Sequence, residues 1–144
     1  MPNSYTCNRL HCVFATKNRA LTFDSQLQPR LWSYIAGIAR NLGMEVISVG
    51  GHADHVHMFI GLPAKLTLAE AMQKVKANSS RWLNHEIKLK DFSWQEGYGA
   101  FSVSLSRTAA TVRYIAAQTD HHRTRDFNTE FRKMLAMHGI TLSS

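Results

Sequence analysis

The chain of 144 residues has little cysteine and no long apolar run, and each shortage argues against a class of protein. Its two cysteines, Cys7 and Cys12, lie on a predicted strand at an odd separation, so their side chains face opposite ways and a disulfide between them is disfavoured. They indicate reduced thiols in a reducing compartment. No stretch approaches the ~18 consecutive apolar residues of a membrane span, and the polar N-terminus does not resemble a signal peptide. We expect a soluble, cytoplasmic protein without a membrane partner.

Acidic residues are also scarce relative to basic ones. Lys and Arg number 17 against 10 Asp and Glu, a formal net charge of +7. Such a balance favours a polyanionic partner, above all nucleic acid, although a basic surface without a partner would have the same composition. No low-complexity tract, repeat or linker divides the chain, and 44% hydrophobic residues suit one core. We predict a single domain over residues 1–144.

The hydrophobic pattern of the first half predicts a strand, a helix and a hairpin. Residues 5–16 are rich in the aromatic and β-branched residues of strands. Apolar residues then recur at helical spacing from Leu27 to Leu42, after a candidate cap at Asp24 or Ser25 and before Gly43. Two short strands follow, and Gly50–Gly51 between them suggests the hairpin turn.

The second half predicts a helix, a strand and one further helix. Thr67 and Glu70 have capping-box spacing at the start of an apolar stripe, a strand-like segment follows Gly99, and Ser106 can cap the last helix. The resulting order is β–α–β–β–α–β–α. Its first six elements are those of an α+β ferredoxin-like split βαβ sandwich, with an antiparallel sheet and helices on one face. The seventh element is an extra C-terminal helix.

Two histidines, His55 and His57, stand one residue apart inside an apolar strand. Residues i and i+2 of a strand face the same side, so both imidazoles can point at one centre while Val56 faces the core. They can hold a divalent ion and leave positions open for substrate, or they can be plain surface histidines. Asp54 could be a ligand, an orienting partner or a base. His52 is a weaker candidate because it lies an odd number of residues from each member of the pair, so on a regular strand it would face the other side.

A partner for this pair is offered by the last helix. Tyr114 and Gln118 are four residues apart and therefore share one helical face. The amide oxygen of Gln118 is a hard ligand that suits Mg²⁺ or Mn²⁺, and Tyr114 would lie next to the same ion. A buried tyrosine with a solvated glutamine would give the same spacing.

Together these residues resemble the HUH endonucleases, and more narrowly the single-tyrosine transposases of small insertion sequences and their REP-associated relatives. The matching stretches are "LHCVFATKNR", "GGHADHVHMFIGLP", "WQEGYGAFSVS" and "YIAAQ" followed by "HH", in the family's order over residues 8–122. His52 departs from the family branch that the chain resembles most.

The resemblance implies a nuclease that nicks and joins single-stranded DNA during transposition. His55, His57 and Gln118 would hold Mg²⁺ or Mn²⁺, and Tyr114 would attack the scissile phosphate to leave a 5′-phosphotyrosine link and a free 3′-OH. It further implies a homodimer and hairpin-containing element ends as DNA partners. A phenol needs a nearby cation to act as a nucleophile near neutral pH, which agrees with these roles.

Basic and aromatic residues around these elements are candidate DNA contacts. The side chains that we expect at the DNA are Lys17, Arg19, Tyr98, Arg107, Arg113 and Arg123. Trp94, Tyr98 and Phe101 could stack on unpaired bases, although residues of this kind more often belong to the core. His121 and His122 could touch phosphate or be ordinary surface residues.

Two other functions are compatible with parts of the pattern. The segment 97–101 loosely resembles a motif of RNA-recognition domains, which would make the chain a single-stranded nucleic-acid binder of the same architecture without catalysis. That alternative leaves His55, His57 and Gln118 without a role. A metal hydrolase that uses a bound water is the second alternative, and it would not need Tyr114.

Overall fold

A computed structural model describes residues 4–118 and 126–141. Within these ranges the strands are β1 (Arg9–Ala15), β2 (Glu45–His52), β3 (His55–Gly61) and β4 (Gly99–Ser102), and the helices are α1 (Leu27–Asn41), α2 (Leu68–His85), α3 (Thr108–Ala116) and α4 (Phe127–Met137). The strands form one antiparallel sheet in the order β2-β3-β1-β4. Each βαβ unit therefore spans one intervening strand, which confirms the ferredoxin-like prediction.

Local sequence signals set the ends of α1 and α2 as expected. The Asp24 carboxylate accepts a hydrogen bond from the backbone N–H of Leu27 at 2.8 Å, and Gly43 follows α1 with φ of +88°. The Thr67 hydroxyl accepts a hydrogen bond from the backbone N–H of Glu70 at 3.1 Å, as in a capping box. None of the described helices is both long enough and apolar enough to span a bilayer.

The hairpin between β2 and β3 exists, but its turn lies at residues 53–54 and not at the two glycines. Gly50 and Gly51 belong to β2, where they pair with His57 and Val56. A side chain at Gly50 would collide with α3, since an added Cβ would lie 2.8 Å from the Ile115 methyl. These glycines therefore serve close packing, and the prediction of their role was wrong.

Helices cover both faces of the sheet. The face toward α1 and α2 holds the larger core, which includes Cys12, Phe14, Val56, Met58 and Ile60 from the strands. The opposite face carries the alternate residues of the same strands. There Val13, Ala15 and Phe101 pack against Phe127, Met134 and Leu135 of α4. Because the central strands β1 and β3 are covered on both sides, most of their residues are buried.

The C-terminal region differs most from the sequence prediction. The predicted last helix is shorter, since α3 ends at Ala116, and Ser106 lies in a 3-10 turn that precedes it without capping α3. A further helix, α4, was not predicted. Its cap is Asp126, whose carboxylate accepts a hydrogen bond from the backbone N–H of Thr129 at 2.8 Å. This cap and the apolar spacing of α4 were visible in the sequence and could have identified the helix.

A candidate metal and nucleophile site

The two histidines of β3 lie on the sheet face that α3 and α4 cover. His55 and His57 are fully buried, and their ring centroids are 5.0 Å apart. The two-residue alternation of the strand places both rings on this face, while Val56 packs in the opposite core. The strand pattern therefore brings the pair together as predicted.

Each ring is oriented by a hydrogen bond at its Nδ1 atom. His55 Nδ1 lies 2.8 Å from Asp54 Oδ1, which fits the orienting role considered for Asp54. His57 Nδ1 lies 2.7 Å from His11 Nε2 on the neighbouring strand β1. Burial, and then the nearby His57, lower the pKa of His11 to about 3, so His11 is neutral near pH 7. Both Nε2 atoms are thereby directed at the space below α3 and α4.

Helix α3 carries Tyr114, whereas Gln118 lies two residues beyond the end of this helix; both side chains reach the histidines of the same chain. The Gln118 amide oxygen lies 2.9 Å from His55 Nε2, and this side chain is buried. The Tyr114 ring centroid lies 5.7 Å from that of His57 and 6.2 Å from that of His11. Tyr114 is only partly buried. The predicted convergence of these four side chains is present within one chain.

Glu130 of α4 completes the cluster, and the sequence reasoning missed it. Its Oε1 atom lies 3.1 Å from His57 Nε2 and 3.8 Å from His55 Nε2, with the side chain buried. The Tyr114 hydroxyl donates a hydrogen bond to the same carboxylate. Phe127, one turn earlier on α4, stacks on the His55 ring at 4.4 Å. Helix α4 thus supplies both a donor atom and a wall of the site.

The charge state of Glu130 follows from these neighbours. Burial by itself disfavours a charged carboxylate. The hydrogen bond and charge of His57, the hydrogen bond of Tyr114 and the charge of His55 outweigh burial and lower the pKa of Glu130 to about 2. The carboxylate is therefore ionised at neutral pH.

The donor set fits a divalent metal ion. One ligand atom each from His55, His57 and Glu130 lie within 4.8 Å of one another, and all three side chains are buried. The Gln118 oxygen is adjacent to this group. Imidazole nitrogen with carboxylate and amide oxygen suits Mn²⁺ well and other hard divalent ions. His52 pairs with His55 across the hairpin but lies outside this cluster.

The candidate DNA residues are distributed around the site. Arg107 and Tyr114 line one cleft between α3 and α4. Arg19 and Tyr98 line a second cleft on the other side of α4, where the Arg19 guanidinium also lies 5.2 Å from the Phe127 ring centroid. Lys17 and Arg113 are exposed, whereas Arg123, His121 and His122 lie outside the described residues.

Only one of the three aromatic candidates for base stacking is accessible. Tyr98 is 40% exposed, but Trp94 and Phe101 are buried. The Trp94 indole donates a hydrogen bond to the Ser79 hydroxyl at 3.0 Å within the α1–α2 core. Phe101 packs against α4 in the opposite core. The stacking interpretation is therefore wrong for Trp94 and Phe101.

Different reasons explain why His11 and Glu130 were missed. His11 occurs in the quoted stretch "LHCVFATKNR", but nothing local shows that its strand pairs with β3. If this pairing is assumed, strand alternation predicts which face of the sheet His11 occupies, because His11 shares a face with Val13 and Ala15. Glu130 could be singled out only after α4 had been identified. A glutamate on the apolar side of a helix is unusual and would then have indicated a special role.

Comparisons with known proteins identify the family of the chain. Residues 4–118 match the family model described as "Transposase IS200 like". The transposase for insertion sequence element IS200 of Salmonella typhimurium is 25% identical over 121 residues, which cover 80% of this chain and 79% of the relative. The corresponding Salmonella typhi protein gives the same values.

Solved structures share the fold at lower sequence identity. A crystal structure from Deinococcus radiodurans R1, described as that of a candidate transposase, has a TM-score of 0.64 at 21% identity, covering 82% of this chain and 96% of the other. A REP-associated tyrosine transposase bound to a REP hairpin has a TM-score of 0.62 at 17% identity, covering 85% and 73%. With the family match extending over most of its length, the chain belongs to the IS200-like transposases.

Proposed function

We propose that this transposase-family protein nicks and joins single-stranded DNA through a covalent link to Tyr114. The observation that carries the proposal is the convergence of Tyr114 and Gln118 with His55 and His57 within one chain. These residues come from elements about sixty positions apart, and core packing alone does not require four polar side chains to meet. A nucleophile beside a metal-type donor set is what phosphoryl transfer to tyrosine needs.

The transfer step conserves the number of phosphoester bonds. A bond forms between the Tyr114 oxygen and phosphorus as the bond from phosphorus to the 3′ oxygen breaks. The tyrosine gives up its proton, the departing 3′ oxygen gains one, and the 5′ phosphate stays on Tyr114. Attack by another 3′-OH reverses the step and joins strands. The hydrogen bond from the Tyr114 hydroxyl to Glu130 fixes the position of the nucleophilic oxygen.

His55, His57 and Gln118 would hold the divalent ion, with Glu130 as a further oxygen donor. When bound, Mg²⁺ or Mn²⁺ would polarise the phosphate and offset the negative charge that develops there. Asp54 and His11 hold the two rings with Nε2 directed at the ion position. The walls formed by α3 and α4 limit the access of water to this position.

Single-stranded DNA with a hairpin is the proposed partner. The excess of basic residues is consistent with a polyanion, and Arg107 lies in the cleft that contains Tyr114. A REP hairpin is bound by one of the structural relatives. A homodimer is also part of the proposal, and light scattering tests it. Because Tyr114 and Gln118 of this chain lie against its own histidines, a second subunit is not required to complete the cluster.

The test is a search for a covalent protein–DNA product. The protein is incubated with Mn²⁺ or Mg²⁺ and hairpin-flanked single-stranded oligonucleotides, and the mixture is denatured in SDS. We expect a DNA adduct that Tyr114→Phe abolishes and that Tyr34→Phe leaves unchanged. Tyr34 is a matched control because it stacks on Trp82 at 4.5 Å, within the α1–α2 layer. His57→Ala should also remove the adduct while binding of the oligonucleotide persists.

Other outcomes would identify the alternative functions. Complete release of DNA in SDS under all conditions would favour a binding module of the RNA-recognition type. Such a module stacks bases on aromatic residues of an open sheet, whereas Phe101 here is buried under α4. Cleavage that survives in Tyr114→Phe without any adduct would favour hydrolysis by a bound water. Normal adduct formation by His57→Ala would refute the metal assignment.

A further inference from the structure

A cleft of about 370 Å³ runs between α3 and α4 and ends at the proposed nucleophile. Its inner end is formed by Tyr114, Glu130 and His11, and its outer part is flanked by Arg107 and Lys133. Both basic side chains are exposed. Arg107 and Lys133 line the same cleft as Tyr114, whose hydroxyl is held on Glu130. The cleft therefore continues the reaction site outward.

The walls of this cleft are apolar, unlike a simple phosphate channel. Ala110 lies on the α3 side, and Met134 and Met137 lie on the α4 side. Met137 is 71% exposed, which is unusual for a large apolar side chain on a packed helix. Thioether side chains are polarisable and adapt to the faces of aromatic rings. The walls suit a flat ring system between two cationic groups.

His138 adds an aromatic ring in a fixed orientation. Its Nδ1 atom donates a hydrogen bond to the Met134 carbonyl at 2.9 Å, and its ring lies 4.5 Å from that of Phe101. The ring is therefore held in place as a lining group of the cleft before any ligand binds. Imidazole rings are among the side chains that stack on unpaired bases.

We propose that this cleft is a subsite for one unpaired nucleotide next to the scissile phosphate, with its base between Ala110 and Met137 and its phosphates near Arg107 and Lys133. The proposal rests on the proposed function, because it supplies the position of the nucleotide that Tyr114 attacks. A base with a charged phosphate on either side matches an apolar slot with two cations at its rim. An apolar peptide would leave the two cations without partners, and a bare phosphate would leave the apolar walls unused.

Methionine methyl NMR tests the subsite without any cleavage. The protein is labelled at the methionine methyl groups and titrated with pentathymidylate in the absence of divalent metal. The Met134 and Met137 signals should shift saturably. A pentamer of equal charge with abasic residues should bind at these positions at least tenfold more weakly. Met58 and Met72, buried in the core on the other face of the sheet, should not shift and report on the fold.

Two variants and one control separate the subsite from nonspecific charge. Ala110→Trp should fill the cleft and abolish the shift of Met137, whereas Ala109→Trp places the same ring at an exposed α3 position that does not line the cleft. Met137→Gln, at an exposed position and without a change in charge, should weaken pentathymidylate binding severalfold, as read at Met134. Unmoved Met134 and Met137 signals, or equal shifts with the abasic pentamer, would overturn the proposal.

The failure of the subsite and the failure of the proposed function have different readouts. Adduct formation by the native protein with unmoved methionine signals would refute the nucleotide subsite alone. Saturable methionine shifts without an adduct under any metal condition would refute the covalent chemistry alone.

Discussion

Replacement of Gly50 by alanine should displace the helix that carries the nucleophile. An added Cβ would lie 2.8 Å from the Ile115 Cγ2 atom and 3.0 Å from the Ile115 carbonyl oxygen, where ordinary contacts begin at 3.4 Å. The methyl group can turn away, but the carbonyl oxygen belongs to the backbone of α3. The helix must therefore move by roughly half an ångström to relieve a contact of this kind. Tyr114 precedes Ile115 directly and moves with it.

The expected losses in stability and activity follow from this displacement. Overpacking costs about 1–3 kcal/mol, and the lower chain entropy of alanine in the unfolded state returns about 0.4–1 kcal/mol. We expect a net loss of about 1–2 kcal/mol, which lowers Tm by roughly 3–6 °C in a domain of this size. A misplacement of 1 Å can reduce a rate by about 100-fold, so a displacement of Tyr114 by roughly half an ångström should slow adduct formation about tenfold.

Gly37→Ala is the matched control for this substitution. Gly37 lies within α1, and no atom of residues 4–118 or 126–141 would lie within 4 Å of its added Cβ. Alanine there should stabilise the protein by about 0.5–1 kcal/mol and leave the adduct rate unchanged. Thermal unfolding and the initial rate of the SDS-stable adduct measure both effects. If Gly50→Ala retains the native Tm and a rate within twofold of native, the argument from close packing is refuted.

Three further predictions concern the charges and thiols of the fold. Glu130→Gln should lower Mn²⁺ affinity at least about tenfold by electron paramagnetic resonance, whereas the exposed Glu70→Gln should not, and equal affinities would contradict the oxygen-donor role. The pKa of His11 in the folded chain is about 3, below its ordinary value of 6.5, so the unfolded chain binds one more proton than the folded chain between these pH values. The contribution of neutral His11 to folding stability is therefore complete above about pH 6.5 and is lost as pH falls toward 3. Urea unfolding at pH 4–7 measures how steeply the free energy of unfolding rises with pH. His11→Gln should reduce this slope by about 1.4 kcal/mol per pH unit, and an unchanged slope would contradict the prediction. Burial raises the pKa of Cys12 to about 12, whereas Cys7 is exposed. A thiol reagent at pH 8 should therefore label one cysteine in the native chain and two after unfolding, and labelling of both cysteines in the native chain would refute this prediction.

The predictions that were wrong share one physical cause. Gly50–Gly51 resembled a hairpin turn because two glycines between strands favour one. Their actual contacts are with Ile115 for Gly50 and with His55 for Gly51, which no local pattern reveals. Trp94 and Phe101 were open to either role for the same reason. Their burial depends on which helices cover each face of the sheet.

Helix α4 shows how a missed local signal hides a tertiary contact. Asp126 as the cap and the apolar positions Phe127, Met134 and Leu135 follow ordinary helical rules. Without this helix the far face of the sheet is open and Glu130 has no defined place. With it, Glu130 reaches a histidine 73 positions away in the chain.

The sequence by itself determined the order of elements as far as α3, the caps of α1 and α2, and the shared face of His55 and His57, because these depend on backbone periodicity and on neighbours a few residues apart. Only the tertiary structure decided that His11 orients His57, that Glu130 joins the cluster, and that Tyr114 meets the histidines of its own chain. Those contacts join residues 46 to 73 positions apart. They depend on strand pairing and on how closely α3 and α4 approach the sheet, which are properties of the packed molecule and not of any segment.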